Sequence, residues 1–213
     1  DTSPRENYNV RFRYTNDHGT SPWGTVQAIQ TDSDNDGVNN LIESSAPNSG
    51  DANNDGTQDK NQADVYSFIS EVSGKYVTIK AASCHDVFNV QLGRESSEHA
   101  DTAYDYSAGL VSFIGRNCGT PGSTIPVTIH FFGDYDVSKI VLRKSNSVAG
   151  SYTTIKNAVL TNTTIGGQKV LSASYSVTDG GTLDQDGVVD GNIVDPVGLA
   201  SPPTPPVDRK SVV

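Results

Sequence analysis

Several residue types are scarce in this chain, and each shortage excludes a class of protein. The 213 residues include no methionine, one tryptophan and two cysteines. No apolar run reaches the roughly 20 residues that a membrane-spanning helix needs, and no secretory signal peptide is recognisable. Because the chain does not begin with methionine, we expect it to be a mature piece or an internal fragment of a longer protein.

Basic residues are also scarce. Fifteen Lys and Arg face 25 Asp and Glu, which gives a net charge of -10 and a pI near 4.6. Such a surface repels nucleic acid and anionic lipid and attracts divalent cations. We therefore expect no nucleic-acid partner. Many of the acids fall within residues 32–64, where only Lys60 opposes them.

Catalytic motifs are missing as well. The histidines are scattered without zinc-ligand spacing, at His18, His85, His99 and His130. The sequence has neither a G-x-S-x-G nucleophile turn nor a glycine-rich phosphate loop, so it predicts a non-catalytic protein.

Cys84 precedes His85, but neighbours in a strand point to opposite faces, which is poor geometry for a nucleophilic pair. We predict instead a Cys84–Cys118 disulfide, which would stabilise the fold by roughly 3–4 kcal/mol and is typical of secreted proteins.

The second half of the chain is rich in valine, threonine, tyrosine and glycine, a composition that favours β-strands and turns. Seven apolar or alternating runs, separated by turn signals, lie at 76–82, 87–92, 109–115, 125–132, 138–144, 151–157 and 169–179. This spacing predicts an all-β fold, an antiparallel β-sandwich over residues 65–200. A small barrel has the same pattern and stays an alternative.

Residues 1–31 predict a partial β-hairpin with strands at 8–15 and 23–29. The hairpin resembles the last two strands of a fibronectin type III domain. The resemblance rests on Tyr8, Val10, Arg11, Arg13, Asn16, Gly19, Ser21 and Trp23. It implies that residues 1–31 are the end of an upstream module.

The most informative stretch is DSDNDGVNNLIE, residues 32–43. It matches the D-x-[DN]-x-[DN]-G-x5-E pattern, in which alternate side chains, one carbonyl and a closing carboxylate surround calcium. The predicted ligands are Asp32, Asp34, Asp36, the carbonyl of Val38, and Glu43, with Gly37 at the turn. The alternative is a soluble turn rich in Asp and Asn.

The run DANNDGTQDKNQ begins the pattern again at Asp51. Its predicted ligands are Asp51, Asn53, Asp55, the Thr57 carbonyl and Asp59. Gln62 holds the closing position, where a neutral amide is a poorer ligand, so Asp59 or Asp64 is expected to complete the shell. A paired EF-hand is disfavoured because Pro47 breaks the connection and no flanking amphipathic helices are evident.

A third acidic cluster lies near the end of the β domain. Asp179, Asp184, Asp186 and Asp190 form a candidate cation site around Gly187. A β-turn rich in Asp and Gly explains this cluster equally well.

Residues 32–64 resemble bacterial thrombospondin type 3 repeats, in which tandem Asp-rich loops wrap calcium with little regular structure. The segments GKYVTIKAASC, YSAGLVSFIGRNC, VTIHFF and DGGTLDQDGVVDGNIVDPVGLA resemble a choice-of-anchor U domain of bacterial surface proteins. This second resemblance covers roughly residues 60–200. Together they imply a calcium-binding stalk and pre-anchor module on a bacterial secreted or cell-surface protein, attached to the cell envelope by an anchor beyond this chain.

Two other functions stay open. An adhesin or carbohydrate-binding module would need a glycan or protein ligand and a platform such as Tyr104, Tyr106 and Tyr135. The second alternative is that the chain is an accessory C-terminal region of a secreted hydrolase.

Residues 201–213 follow the β domain. SPPTPPV predicts an extended polyproline linker. The last six residues, DRKSVV, match the translation of a common sequencing-adapter string, so we expect residues 208–213 to be artefactual.

Overall fold

A computed structural model describes residues 7–95, 100–146 and 150–203. The artefactual tail predicted at 208–213, most of the linker and His99 lie outside the described residues. Two five-stranded antiparallel sheets pack face to face, which confirms the predicted all-β sandwich. Within the described ranges, no helix has the length and apolar character to cross a membrane.

The described N-terminal residues form four short strands and three short segments of helix or turn, of which Pro47–Gly50 is a turn with Asn48 and Ser49 in the left-handed region. In chain order these are β1 (Asn7–Val10), β2 (Thr15–Asn16), β3 (Gly19–Thr20), β4 (Gln27–Gln30), α1 (Asn40–Ser44), α2 (Pro47–Gly50) and a 3₁₀ turn (Asp59–Asn61). β1 pairs antiparallel with β4, and β2 with β3. The strands are shorter than predicted, because residues 11–14 and 23–26 are not in strands. The Arg11 and Arg13 guanidinium groups each lie over the Trp23 ring, at 4.6 and 4.5 Å from its centroid.

The sandwich is built from ten strands and one further 3₁₀ turn at Val137–Lys139. The strands are β5 (Val65–Ile69), β6 (Tyr76–Ala81), β7 (Asp86–Gly93), β8 (Leu110–Arg116), β9 (Thr124–Phe132), β10 (Val141–Asn146), β11 (Ser151–Thr154), β12 (Val159–Ile165), β13 (Gln168–Thr178) and β14 (Ile193–Ala200). The first sheet has the order β11-β10-β14-β8-β7, and the second has the order β12-β13-β9-β6-β5.

The core forms because apolar and polar residues alternate along the strands. In β9, Val127, Ile129 and Phe131 are fully buried and face the first sheet, whose Phe113 and Leu199 they join in one cluster. Burying a side chain of this size stabilises the fold by about 1.5–3 kcal/mol. The core therefore lies between the two sheets, as expected for a sandwich.

Three strands have no counterpart among the seven predicted runs. β12 is largely exposed and polar, so it lacks an apolar alternation. β14 contains Asp195 and Pro196, residue types that are depleted in strands, yet it is central and pairs with β8 and β10. β5 lies directly after the acidic segment and overlaps none of the predicted runs.

The predicted disulfide joins Cys84 to Cys118, with a sequence separation of 34 residues. It packs against Gly115 in β8, where an added Cβ would lie 2.8 Å from the Cys84 sulfur. The bridge indicates folding in an oxidising compartment.

The acidic segment packs on the outer face of the second sheet. In β6 the core residues alternate with Tyr76, Thr78 and Lys80, which point toward the segment. The Tyr76 hydroxyl donates a hydrogen bond to the Ile42 carbonyl at 2.8 Å. A small cluster of buried apolar residues packs between the acidic segment and this sheet. It contains Ala46, Ala52, Phe132, Ile165 and Val170. Residues 32–64 and the sandwich thus share a packed interface.

Candidate metal centre

The first acidic loop is a tight turn held by its own carboxylates. Asp32 accepts hydrogen bonds from the backbone N–H groups of Asn35 and Gly37 at 2.8 and 3.1 Å, and Asp36 accepts one from Val38 at 2.7 Å. Gly37 has a φ of 102°, a conformation that glycine adopts without the steric cost of a Cβ. Glycine at this position is what the calcium-loop pattern requires.

Three carboxylates of this loop meet at one place. Asp32, Asp34 and Asp36 each contribute an oxygen, and these oxygens lie within 4.8 Å of one another. No other group of three or more His, Cys, Asp or Glu side chains comes together in this way among the residues described. Since like charges at this distance repel one another, protons or a cation would stabilise the arrangement.

A fourth carboxylate comes from helix α1. The Asn39 side chain caps this helix by accepting a hydrogen bond from the Ile42 N–H at 3.1 Å. Glu43, the residue after Ile42, has an exposed fraction of 0%. Neither of its carboxylate oxygens has a hydrogen-bond partner. Among the loop charges, Asp36 acts most strongly on Glu43. The helix therefore places the predicted closing ligand near enough to interact electrostatically with the loop, although Glu43 lies outside the group formed by the three aspartate oxygens.

Four buried carboxylate oxygens have no hydrogen-bond partner. They are Asp34 Oδ1, Asp36 Oδ2, Glu43 Oε1 and Glu43 Oε2. The other Asp34 oxygen accepts the Gln62 N–H at 2.9 Å, a contact that ties the first loop to the end of the second. Buried polar atoms are nearly always paired in folded proteins. These four are hard oxygen donors of the kind that Ca²⁺ prefers.

The same burial alters the acidity of the cluster. Burial, and then repulsion from Asp36, raises the pKa of Glu43 from 4.5 to about 10. Burial also raises the pKa of Asp36 to about 8 and that of Asp34 to about 6, with repulsion from neighbouring carboxylates adding to both. In the absence of a cation, Glu43 and Asp36 therefore hold protons at neutral pH. A divalent cation would replace those protons.

The second loop repeats the backbone of the first. Asp51 accepts hydrogen bonds from the N–H groups of Asp55 and Gly56 at 3.0 and 3.1 Å, and Asp55 accepts one from Thr57 at 3.0 Å. Gly56 has a φ of 92°, close to that of Gly37. The sequence repeat is thus also a structural repeat.

Donors from the protein fill the second loop. The Lys80 ammonium lies 2.6 Å from Asp55 Oδ2, and the Gln62 side-chain amide donates to Asp55 Oδ1 at 3.2 Å and to the Thr57 carbonyl at 3.1 Å. Burial disfavours the charged form of Asp55. The hydrogen bond from Lys80 and the other hydrogen bonds that Asp55 accepts outweigh this effect and lower the pKa of Asp55. Asn53 also donates to Asp55, at 3.0 Å. An ammonium group thus supplies positive charge within this loop.

Asp59, a predicted ligand of the second loop, is bonded to protein donors. It is fully buried. Its oxygens accept the Ala52 N–H at 3.2 and 3.1 Å and the Ser67 hydroxyl at 2.5 Å. Ser67 in turn bonds Thr78 on β6 at 2.7 Å. Asp59 therefore connects the second loop to the sandwich, and burial raises its pKa to about 6.

The acids of the third cluster are each satisfied by backbone donors. Asp179 accepts N–H groups from Gly122, Asp190 and Gly191, and Asp184 accepts those of Gly180 and Val194. Asp186 and Asp190 accept the N–H two residues ahead, from Val188 and Asn192. The structure does not gather Asp184, Asp186 and Asp190 into a group around one point. These contacts match the turn alternative.

The other candidate residues have structural surroundings. Tyr106 is buried and donates a hydrogen bond to Asp101 at 2.8 Å, while the half-buried Tyr104 lies under the Arg143 guanidinium at 4.4 Å. Tyr135 is half-buried against the core. The disulfide leaves Cys84 without a free thiol, which excludes a nucleophilic pair with His85.

Comparisons with known proteins give no relative. No family model matches the chain, and neither a curated protein nor a solved structure matches it.

Proposed function

We propose that the chain is a non-catalytic, calcium-binding stalk and pre-anchor module of a bacterial secreted or cell-surface protein. One observation carries the calcium assignment: the four partnerless, buried oxygens of Asp34, Asp36 and Glu43. With Asp32 and the Val38 carbonyl they supply the six to eight oxygens that Ca²⁺ takes. Both oxygens of Glu43 are free, which suits bidentate closure of the shell.

The position of the loops supports a stiffening role. Residues 32–64 join the hairpin to the sandwich, and they contact the sandwich through Tyr76 and through Asp59 with Ser67. A cation that neutralises the first loop would hold helix α1 against this face. Calcium modules outside the cell bind at about 10⁻⁴–10⁻³ M, so the site would fill after export and couple folding to it.

The second loop is proposed as a weaker calcium site. It keeps Asp51, Asn53 and Asp55, but its closing residue is Gln62. A cation would have to displace the Lys80 ammonium and the Gln62 amide from Asp55. We therefore expect the first loop to bind calcium first.

The proposed surface location rests on the disulfide and on the family resemblances. The disulfide fits a compartment outside the reducing cytoplasm. The resemblance to thrombospondin type 3 repeats and to a choice-of-anchor U domain supplies the link to the cell envelope.

Calorimetric titration of the full chain with calcium tests the proposal. We expect saturable binding that Asp36→Asn weakens at least tenfold, together with calcium-dependent protection of residues 32–64 from limited proteolysis. Asp186→Asn is the matched control, because Asp186 is exposed and its carboxylate serves only a local turn. Absence of binding at about 10 mM calcium, above the range for such modules, would refute the site.

A further inference from the structure

A lysine and an aspartate form a buried pair inside the sandwich, far in sequence from the acidic loops. Lys144 on β10 and Asp195 on β14 have exposed fractions of 5% and 0%. The Lys144 Nζ lies 2.7 Å from Asp195 Oδ1 and donates a second hydrogen bond to the Val194 carbonyl at 3.0 Å. Because β10 and β14 are neighbouring strands of the first sheet, the ladder fixes this geometry.

A tyrosine from the opposite sheet completes the group. The Tyr175 hydroxyl, on β13, donates a hydrogen bond to the other carboxylate oxygen, Asp195 Oδ2. Burial raises the pKa of Tyr175 well above its ordinary value, so the hydroxyl keeps its proton and remains a donor. The carboxylate therefore has an amine on one side and a fixed hydrogen-bond donor on the other.

We propose that Lys144 and Asp195 condense to form an intramolecular amide bond that links β10 to β14. After proton transfer from the ammonium to Oδ1, the neutral Nζ attacks the Asp195 Cγ and forms the C–N bond. The Cγ–Oδ1 bond breaks, and Oδ1 leaves as water with two protons that came from the nitrogen. The two opposite charges cancel, so the step needs neither an oxidant nor a cofactor.

Tyr175 is the catalytic residue of this step. Oδ2 remains as the amide oxygen and carries negative charge in the tetrahedral intermediate. A preorganised donor aimed at such an oxygen is a strong form of transition-state stabilisation. The Val194 carbonyl accepts a hydrogen bond from Nζ and so helps to orient the nitrogen that attacks.

The surroundings favour condensation. Reacting groups held in contact reach effective concentrations of about 10⁵–10⁸ M. Two buried charges carry a large desolvation cost, and a neutral amide removes it. Lys144 also lines a cavity of about 200 Å³ beside Ser145 and Asp184, which is large enough to receive the departing water.

Intact mass spectrometry of the purified, reduced full chain tests the proposal directly. We expect the folded protein to be one water molecule lighter than its sequence requires. Trypsin should fail to cleave after Lys144, and a branched peptide should join Lys144 to Asp195. Lys144→Arg should restore the full mass. Tyr175→Phe should slow formation of the bond at least tenfold while both reacting groups remain in place.

Two results would overturn the proposal. One is a full, unmodified mass in protein whose circular dichroism and cooperative unfolding show that it is folded. The other is a water loss that maps to an Asp–Gly succinimide, for example at Asp36–Gly37, since such a ring has the same mass change. If Tyr175→Phe forms the bond at the parent rate, the role given to Tyr175 is wrong.

Discussion

Replacing Glu43 by glutamine should separate the electrostatic cost of the metal-free site from the stabilisation that calcium would provide at the proposed site. The folded protein raises the pKa of Glu43 from 4.5 to about 10. At pH 7 the folded state therefore holds a proton that the unfolded chain releases. Because the folded pKa is the higher one, stability is greatest below the unfolded pKa and falls as pH rises toward the folded pKa. Each pH unit in that interval costs about 1.4 kcal/mol.

At pH 7 this cost amounts to about 3 kcal/mol for Glu43. Glutamine carries no charge, and its amide can donate to the partnerless oxygens of Asp36 and Asp34. The metal-free Glu43→Gln variant should therefore unfold with a free energy up to about 3 kcal/mol greater than that of the parent protein.

Calcium should change this comparison. A Kd of about 10⁻⁴–10⁻³ M gives the parent protein about 1.4–2.7 kcal/mol of stabilisation at about 10 mM calcium. The variant lacks the closing carboxylate, so we expect it to gain less than about 0.5 kcal/mol under the same conditions.

Urea unfolding at pH 7, in chelator and in calcium, measures both free energies. Glu71→Gln is the matched control, because it makes the same chemical change at an exposed glutamate. A metal-free Glu43→Gln variant that is less stable than the parent would refute the argument. So would an unchanged calcium increment.

Three further predictions follow from the same contacts. The metal-free protein should lose stability as pH rises from about 5 to about 8, because burial raises the pKa values of Asp36 and Glu43. Urea unfolding should show this pH dependence in chelator and a weaker one in saturating calcium. An equal pH dependence in both conditions would contradict the prediction. Replacing Cys84 and Cys118 together by serine should lower the free energy of unfolding by roughly 4 kcal/mol, the value for a loop of 34 residues, and a loss below about 1 kcal/mol would show that the bridge adds little. Lys80→Met, which keeps the apolar stem and removes the ammonium, should strengthen calcium binding by the second loop at least threefold in calorimetry, and unchanged binding would show that the ammonium does not compete with the cation.

The sandwich could be predicted because its strands alternate in sequence. In β9 every second residue is apolar from Ile125 to Phe131, and this period alone determines which face is buried. β14 could not be found in this way. Asp195 and Pro196 break its apolar pattern, and only Lys144 on the neighbouring strand and Tyr175 across the core explain why a carboxylate is stable there.

The candidate metal centre was predictable from the sequence only in part. The proposed ligands of the first loop are close in sequence, so a fixed spacing of Asp32, Asp34, Asp36 and Glu43 predicts them. The occupant of the second loop, Lys80, comes from a strand of the sandwich and approaches Asp55 only in the folded protein. The alternation of β6 predicts that Lys80 lies on the outer face of the sheet. It does not predict that Lys80 contacts Asp55. Long-range contacts of this kind have no signature in local spacing.

The central position of β14 has a mechanical consequence. The strand makes six register pairs with β8 and four with β10, all antiparallel. A pulling force transmitted along the chain beyond Ala200 would load both ladders in shear, so that many hydrogen bonds must break together. An edge strand would instead peel from a single neighbour, one bond at a time. The strand that leads into the proline-rich segment is thus the one best placed to bear tension.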